Sequence, residues 1–500
     1  MSERRFSVEI KSGNRGIVRI EKYPVYQNEI TFLFGESGIG KSIISKALYG
    51  LLDQEGLEVS IDGQAYGRHL HDEWTTQVRQ NSFFVFQEPS SHLNPLMTIK
   101  DQLTEGNLNT GNDSEILSYL WQTESDSAIR KIIDVYPKPY RPSGGEKQRI
   151  LLAMAFKRIN AFLEKRLSDQ PTMFVFDEPT GSLDNNYRNL FLQLLFTKYL
   201  AHPFTILIIT HDYSIISEIY KNYRNILPRI HFKELSRIQE PDVEVHDFSA
   251  DQYLNWLQAP RPVQGSGITD DMVLQFDPEF RIFGRTLCIY SDKSQTAVKP
   301  LSIKRGDMAY LKAPSGVGKT TLAKILMGIY HSESFRMSIG GINITERTSS
   351  SLWPEKIWGK RAGMVFQHAD EALNLESTVF ETFSGLPLKI SHTAESLSQV
   401  LLELFDGPLS EQFLRKKVAY LSGGQKQRLN LLRTLVLGPQ LIILDEPLNG
   451  LDFNSVKKVL SMLDEKRSQG SAFLMISHNE EIFDHFIDRE NIYYLAEMQS

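Results

Sequence analysis

Short runs of apolar residues punctuate the chain, and they recur in pairs. Ile30-Thr31-Phe32-Leu33-Phe34 predicts a short buried strand, followed by a glycine-rich loop and a helix from Ser42 to about Leu52. The same succession returns later as Met308-Ala309-Tyr310-Leu311, a second glycine-rich loop, and a helix from Thr320 to about Tyr330. Apolar runs also precede Asp177 (Met173 to Phe176) and Asp445 (Leu441 to Leu444). Others precede His211 (Phe204 to Ile209) and His478 (Phe473 to Ile476). Short apolar strands alternating with helical segments predict an α/β fold with a largely parallel sheet.

The two series are offset by roughly 270–280 residues, the signature of a duplicated domain and not of a short solenoid repeat. Proline, glycine and serine cluster from Ala259 to Gly267 as they do in linkers. The expected organisation is a first domain over 1–258, a linker over 259–272 and a second domain over 273–500. The segment Lys157 to Gln170 makes the first copy longer by about ten residues, and reads as an extended helix plus a turn.

Bulk properties narrow the functional classes. The chain has 500 residues, too many for one core, and a net charge of −6 argues against nucleic acid as the main partner. Its one cysteine, Cys288, allows no disulfide within the chain and no cysteine-ligated zinc or iron–sulfur centre, so a reducing cytosol is the simplest compartment. The start, Met1 to Phe6, lacks the apolar core of a secretion signal. No stretch approaches the ~20 apolar residues of a membrane-spanning helix, so any action on a membrane is expected to run through a partner.

The motifs carry the chemistry. Gly35-Glu36-Ser37-Gly38-Ile39-Gly40-Lys41-Ser42 and Ala313-Pro314-Ser315-Gly316-Val317-Gly318-Lys319-Thr320 are phosphate-binding loops. Their glycines let backbone N–H groups crowd around phosphates, Lys41 and Lys319 neutralise charge, and Ser42 and Thr320 ligate magnesium. Asp177-Glu178 and Asp445-Glu446 end apolar strands: each aspartate can hold magnesium through water, and each glutamate can polarise an attacking water as a general base. Both pairs are followed by proline and then by Gly181-Ser182-Leu183-Asp184 or Asn449-Gly450-Leu451-Asp452. His211 and His478, each after a strand and a hydroxyl residue, can contact a γ-phosphate. Ser143-Gly144-Gly145-Glu146 and Ser422-Gly423-Gly424-Gln425 open helices, where free N–H groups and the positive dipole end face an anion. Alone, a strand-end acid pair, a lone histidine or an N-cap serine is commonplace. Here their order repeats.

With these elements the chain resembles the ATP-binding cassette family over nearly its whole length, twice. The phosphate loop, a glutamine loop at Gln87 and Gln367, the Ser-Gly-Gly signature, the Asp-Glu pair, the aspartate loop and the switch histidine stand in family order. The resemblance implies two P-loop NTPase domains, each with a mostly parallel core sheet, an antiparallel β subdomain and a helical signature subdomain. It implies ATP and Mg²⁺ as ligands, with Gln87 and Gln367 joining the metal set of Ser42, Asp177, Thr320 and Asp445. It also implies head-to-tail pairing of the two cassettes within the chain. One site then joins Lys41, Ser42, Gln87, Asp177, Glu178 and His211 with Ser422, Gly423, Gly424 and Gln425. The other joins Lys319, Thr320, Gln367, Asp445, Glu446 and His478 with Ser143, Gly144, Gly145 and Glu146.

The departures from the family pattern cluster in the second site. Ala313 replaces the first loop glycine, Pro142 stands where leucine is usual, and Glu146 replaces glutamine. Alanine restricts positive φ, and a glutamate near a triphosphate is mildly repulsive. Two hydrolysing sites are expected, the second the slower. The family usually stacks an aromatic on adenine, and Tyr290 matches that spacing in the second copy. The first copy has only Gly13 and its neighbours there, which leaves Phe6 or Tyr23 as substitutes.

The stretch from Gln87-Glu88-Pro89-Ser90-Ser91-His92 to Ile99 resembles the glutamine loop of oligopeptide, dipeptide and nickel importer ATPases, and Gln367 to Leu375 is a looser match. This implies a fused ATPase subunit working with two integral-membrane permease subunits and, indirectly, a solute-binding protein. Its place is then cytoplasmic and peripheral on the inner face of the membrane, and the solute a peptide, nickel or a metal chelate. Sugar importers also fuse two cassettes, and soluble tandem cassettes that act on ribosomes or other enzymes form the rival class. Against RNA binding, Asn225 to Asp271 carries more acids than bases.

Overall fold

The computed structural model describes residues 3–104, 113–123, 125, 127, 142–165, 170–181, 185–259, 271–314, 316–388, 393–405, 409 and 411–498. Ser315, the aspartate-loop residues Ser182, Leu183 and Asp184, and most of the expected linker lie outside the described residues. The chain separates into two compact units, Met1–Leu254 and Asn255–Ser500.

The first unit contains β1 (Glu3–Ser12), β2 (Arg15–Tyr26), β3 (Ile30–Gly35), β4 (Glu58–Ile61), β5 (Gln64–Ala65), β6 (Phe84–Val85), β7 (Phe174–Asp177), β8 (Ile206–Ile209), β9 (Ile230–Gln239) and β10 (Asp242–Asp247). They form one sheet in the order β5-β4-β1-β2-β10-β9-β3-β8-β7-β6. The run from β9 to β6 is parallel throughout. Every residue of β3, β7 and β8 is buried, as expected of parallel strands covered on both faces.

The second unit contains β11 (Met272–Phe276), β12 (Glu279–Ile282), β13 (Arg285–Tyr290), β14 (Leu301–Lys304), β15 (Met308–Lys312), β16 (Arg336–Ile339), β17 (Ile342–Thr345), β18 (Ala362–Val365), β19 (Leu441–Asp445), β20 (Ala472–Ile476) and β21 (Ile492–Glu497). An antiparallel sheet β14-β11-β16-β17 accompanies a sheet β12-β13-β21-β15-β20-β19-β18. Its parallel core, β21-β15-β20-β19-β18, repeats the strand order of the first unit.

The copies diverge at one edge. In the second unit β13 pairs directly with β21. In the first, β10 folds back from β9 and inserts between β9 and β2. Arg19 on β2 secures the insertion by pairing with Asp242 at 2.5 and 2.9 Å, and Lys233 pairs with Asp247 at 2.7 Å. Some acids of the 225–271 stretch therefore serve this hairpin.

The phosphate-loop helices are shorter than the apolar pattern predicts, running Lys41–Tyr49 and Lys319–Leu326. Gly50 ends the first by adopting φ 81°, with its N–H and that of Leu51 returning to Ala47 and Lys46 at 3.1 and 2.9 Å. The added length after the first signature is helical: that helix spans 22 residues, Gly144–Lys165, against 13 in Gly423–Leu435. Residues 166–169 lie outside the described set.

Candidate functional site

Each phosphate loop links the C-terminal end of a buried strand, β3 or β15, to a helix start, so free backbone N–H groups converge where the dipole is positive. Gly38 and Gly316 share φ 80°, and Gly40 and Gly318 have φ 119° and 128°. The loops differ at their first residue. Gly35 has φ 136°, and an added Cβ would meet the Leu235 carbonyl oxygen at 2.5 Å. Ala313 is not among the positive-φ residues, so the alanine carries no such strain. The loop lysines are buried and turned back on their own loops: Lys41 Nζ donates to the Gly35 and Glu36 carbonyls at 2.6 and 3.0 Å, and Lys319 Nζ to that of Ala313 at 2.6 Å. Burial pushes the Lys41 ammonium down, and the nearby Glu178 and Asp177 carboxylates oppose it.

The metal-binding expectation has an acceptor to match. Ser42 stands beside Asp177 and Thr320 beside Asp445, each hydroxyl favouring the ionised carboxylate. One oxygen of each carboxylate, Asp177 Oδ1 and Asp445 Oδ2, is buried without a hydrogen-bond partner. Burial pushes Asp177 up to about 6 and raises Asp445 as well. A hydroxyl beside a carboxylate with an unsatisfied oxygen suits a hard cation such as Mg²⁺, which keeps waters and takes phosphate oxygens as its remaining ligands. Gln87 and Gln367 are exposed just past β6 and β18, the strands next to β7 and β19.

Glu178 and Glu446 both adopt left-handed backbone, φ 48° and 50°, a conformation that costs a side-chain-bearing residue about 1–3 kcal/mol. Their N–H groups donate to Ile209 and Ile476 at 2.9 and 2.8 Å, which fixes both at a strand end. Their carboxylates are held differently. His211 Nδ1 lies 2.8 Å from Glu178 Oε1. Burial works against a charged His211, but the Glu178 carboxylate outweighs it and raises its pKa. In the second unit His478 Nε2 is 3.6 Å from Glu446 Oε1, and the Ser477 hydroxyl donates to Oε2 at 2.9 Å. Glu446 is 2% exposed, and burial pushes its carboxyl up to about 7 against the pull of the His478 N–H and Ser477.

That shift sets the sign of a pH dependence. The folded unit keeps Glu446 protonated up to about 7, whereas its ordinary value is 4.5. The stabilisation is complete below the ordinary value and is lost as pH rises through about 7. Glu446→Gln, uncharged at every pH, is expected to raise the unfolding temperature of the nucleotide-free protein at pH 8, with the gain shrinking toward pH 5. Thermal melts across that range check it, and a pH-independent effect rejects it.

Both signature serines cap their helices. Ser422 N–H donates to Gln425 Oε1 at 3.0 Å, and Gln425 N–H to Ser422 Oγ at 3.1 Å. In the first unit Ser143 N–H donates to Glu146 Oε2 at 2.8 Å, and Glu146 N–H to Ser143 Oγ at 3.3 Å. Glu146 therefore does the capping of Gln425 and adds a negative charge at the helix start. Pro142 just ahead is buried. A link absent from the sequence reading joins each signature helix to its glutamine loop: Lys147 Nζ reaches Ser90 Oγ at 3.0 Å, and Lys426 Nζ reaches Asp370 Oδ1 at 2.9 Å.

Neither substitute expected for an adenine-stacking ring in the first copy is available. Phe6 is 0% and Tyr23 2% exposed, both packed in the core of the first unit, so neither can offer its ring to a base. Tyr290, at the end of β13, packs with Cys288, Ala496 and Tyr494 and retains 9% exposure. Sequence reasoning also missed Ser477 and Leu235. A hydroxyl residue before each histidine, Thr210 and Ser477, was the available signal for the former.

Comparison with known proteins agrees with this geometry. The chain is 29% identical to the uncharacterized ABC transporter ATP-binding protein YejF of Escherichia coli, over 93% of this chain and 88% of that protein. It is 26% identical to the glutathione import ATP-binding protein GsiA of Shigella dysenteriae, over 96% of this chain and 82% of that protein. Among solved structures, RNase-L Inhibitor shares the fold with a TM-score of 0.57 and 17% identity, over 95% of this chain and 87% of that one. Among the described residues no helix is long and apolar enough to cross a membrane. The profile of the ABC transporter family matches residues 22–181 and 299–449, and the chain belongs to that family and is an ATPase.

Proposed function

We propose that the chain is the energy-supplying subunit of an importer, bound to the inner face of the membrane through two permease subunits. Lys41 and Lys319 take the nucleotide phosphates, and Ser42 with Asp177 and Thr320 with Asp445 hold Mg²⁺. The bound metal neutralises charge that develops on the phosphates. Glu178 and Glu446 accept the proton of the attacking water, and His211 and His478 face the γ-phosphate. ATP binding draws the cassettes together, with each signature serving the other cassette's nucleotide, and hydrolysis releases them. The exposed surfaces around Gln87 and Gln367 receive cytoplasmic segments of the permeases.

The observation that carries the importer reading is similarity to a protein named for glutathione import, over 96% of this chain and 82% of that protein. Glutathione is a tripeptide, so a short peptide is the solute class favoured here over nickel, a metal chelate or a sugar. The solute itself does not touch this chain. The test is co-expression with the neighbouring genes and detergent extraction. Co-isolation with integral membrane proteins, with ATPase activity stimulated by the peptide-loaded binding protein, is the expected result. Recovery with ribosomes would replace this reading by that of a soluble tandem cassette.

A further inference from the structure

In the second unit the side chain hydrogen-bonded to the expected general base is that of Ser477, while the switch histidine contributes its backbone N–H and an imidazole 3.6 Å away. Ser477 follows β20 directly and is 3% exposed. Its hydroxyl donates to Glu446 Oε2 at 2.9 Å and accepts the Asn479 N–H at 3.1 Å. Its carbonyl accepts the Tyr310 hydroxyl at 2.8 Å, so the residue is fixed through side chain and backbone alike. The His478 N–H adds a second donor to Glu446 Oε2 at 3.2 Å. Oε2 is thereby anchored, while Oε1 is buried and has no hydrogen-bond partner. A carboxylate pinned by one oxygen has its other oxygen aimed in a fixed direction.

The first unit uses another arrangement. The Thr210 hydroxyl, at the corresponding place, accepts the Asp212 N–H at 3.0 Å, and His211 meets Glu178 Oε1 at 2.8 Å. One base is hydrogen-bonded by a histidine ring, the other by a serine hydroxyl together with the N–H of the histidine that follows it.

We propose that Ser477 is the positioning residue of the second nucleotide site, setting the direction in which Glu446 Oε1 meets the attacking water. This rests on the reading of Glu446 as general base. Losing one buried, charge-assisted hydrogen bond frees the carboxylate to rotate, and misplacement by about 1 Å costs up to ~100-fold in rate.

The test is a double-mutant cycle on the full chain, measuring ATP hydrolysis. Ser477→Ala is expected to reproduce most of the kcat loss of Glu446→Gln, with KM for ATP within about twofold of native. Ser477→Thr, which keeps a hydroxyl, should retain more than half of the native kcat. On the Glu446→Gln background, Ser477→Ala should add no further loss, because the group it positions is already disabled. A further loss as large as in the native chain would show that Ser477 acts elsewhere, and a native kcat in Ser477→Ala beside an impaired Glu446→Gln would overturn the proposal alone. The cycle is run with Glu178→Gln present so that the rate read is that of the second site, and an unchanged rate on adding Glu446→Gln there would remove the base assignment and the proposal together.

Discussion

Glu178→Gln is expected to cut hydrolysis at the first site by about 100-fold or more, the range lost when a positioned general base is removed. Glutamine keeps the shape of the side chain and can still accept from His211, which lies 2.8 Å from Glu178 Oε1. It cannot accept a proton from water. Binding should survive, because the phosphate loop and the Ser42–Asp177 pair are untouched. Overall turnover should nearly vanish, since the first site is expected to carry most of it. Two features weaken the second. Burial pushes the Glu446 carboxyl up to about 7, which disfavours the ionised form a general base needs. Under the proposed pairing of the cassettes, Glu146, whose carboxylate accepts the Ser143 N–H at 2.8 Å, would add a negative charge to the signature serving the second nucleotide, the larger expected handicap. Glu446→Gln should therefore reduce steady-state hydrolysis less than Glu178→Gln does. Equal losses would remove the asymmetry, and retention of more than half the native rate in Glu178→Gln would remove its assignment as base.

The parallel core was legible because its strands are apolar on both faces. Phe174 to Phe176 and Leu441 to Leu444 stand out as runs without any alternation to interpret. The reacting residues were legible for a related reason: phosphate and metal chemistry demands particular residue types at the ends of those strands, so order and spacing locate them. What stayed hidden depends on direction in space. The alternation of Phe6, Val8 and Ile10 with polar residues already put Phe6 on the core face of β1, whereas Tyr23 stands out of step with Val18 and Ile20, and both are packed in the core. The β9–β10 hairpin was masked by its acids, which read as a solvated stretch until Arg19 and Lys233 are seen opposite them. The left-handed backbone of Glu178 and Glu446 has no residue-type signal at all, since glycine would be the ordinary occupant. The different anchoring of the two bases likewise turns on direction: both strand-end hydroxyls accept a backbone N–H, and that of Ser477 also donates to the carboxylate.

Gly35→Ala is expected to weaken nucleotide binding at the first site by about tenfold or more, equivalent to at least ~1.4 kcal/mol, although alanine is the native residue at the matching place in the second loop. Gly35 has φ 136°, a region that residues with a Cβ avoid at a cost of about 1–3 kcal/mol. The added methyl would also lie 2.5 Å from the Leu235 carbonyl oxygen, a backbone atom with no rotamer to yield. Leu235 is itself buried and faces Gly35 in the parallel β3–β9 register, so retreat would break a core pairing. The loop has to move instead. Its Gly35 carbonyl accepts from Lys41 Nζ at 2.6 Å, so a shift there displaces the cation that meets the phosphates. Ala313 begins its loop without positive φ, and its carbonyl receives Lys319 Nζ at the same 2.6 Å. Ala313→Gly should therefore change affinity by less than about threefold, the ~0.6 kcal/mol scale of a mild backbone effect. Titration of each full-length variant with a fluorescent ATP analogue, beside thermal melts that confirm folding, checks both arms. An affinity in Gly35→Ala within about twofold of native would mean that the first loop accepts a side chain without moving Lys41, and that the two loops are interchangeable after all.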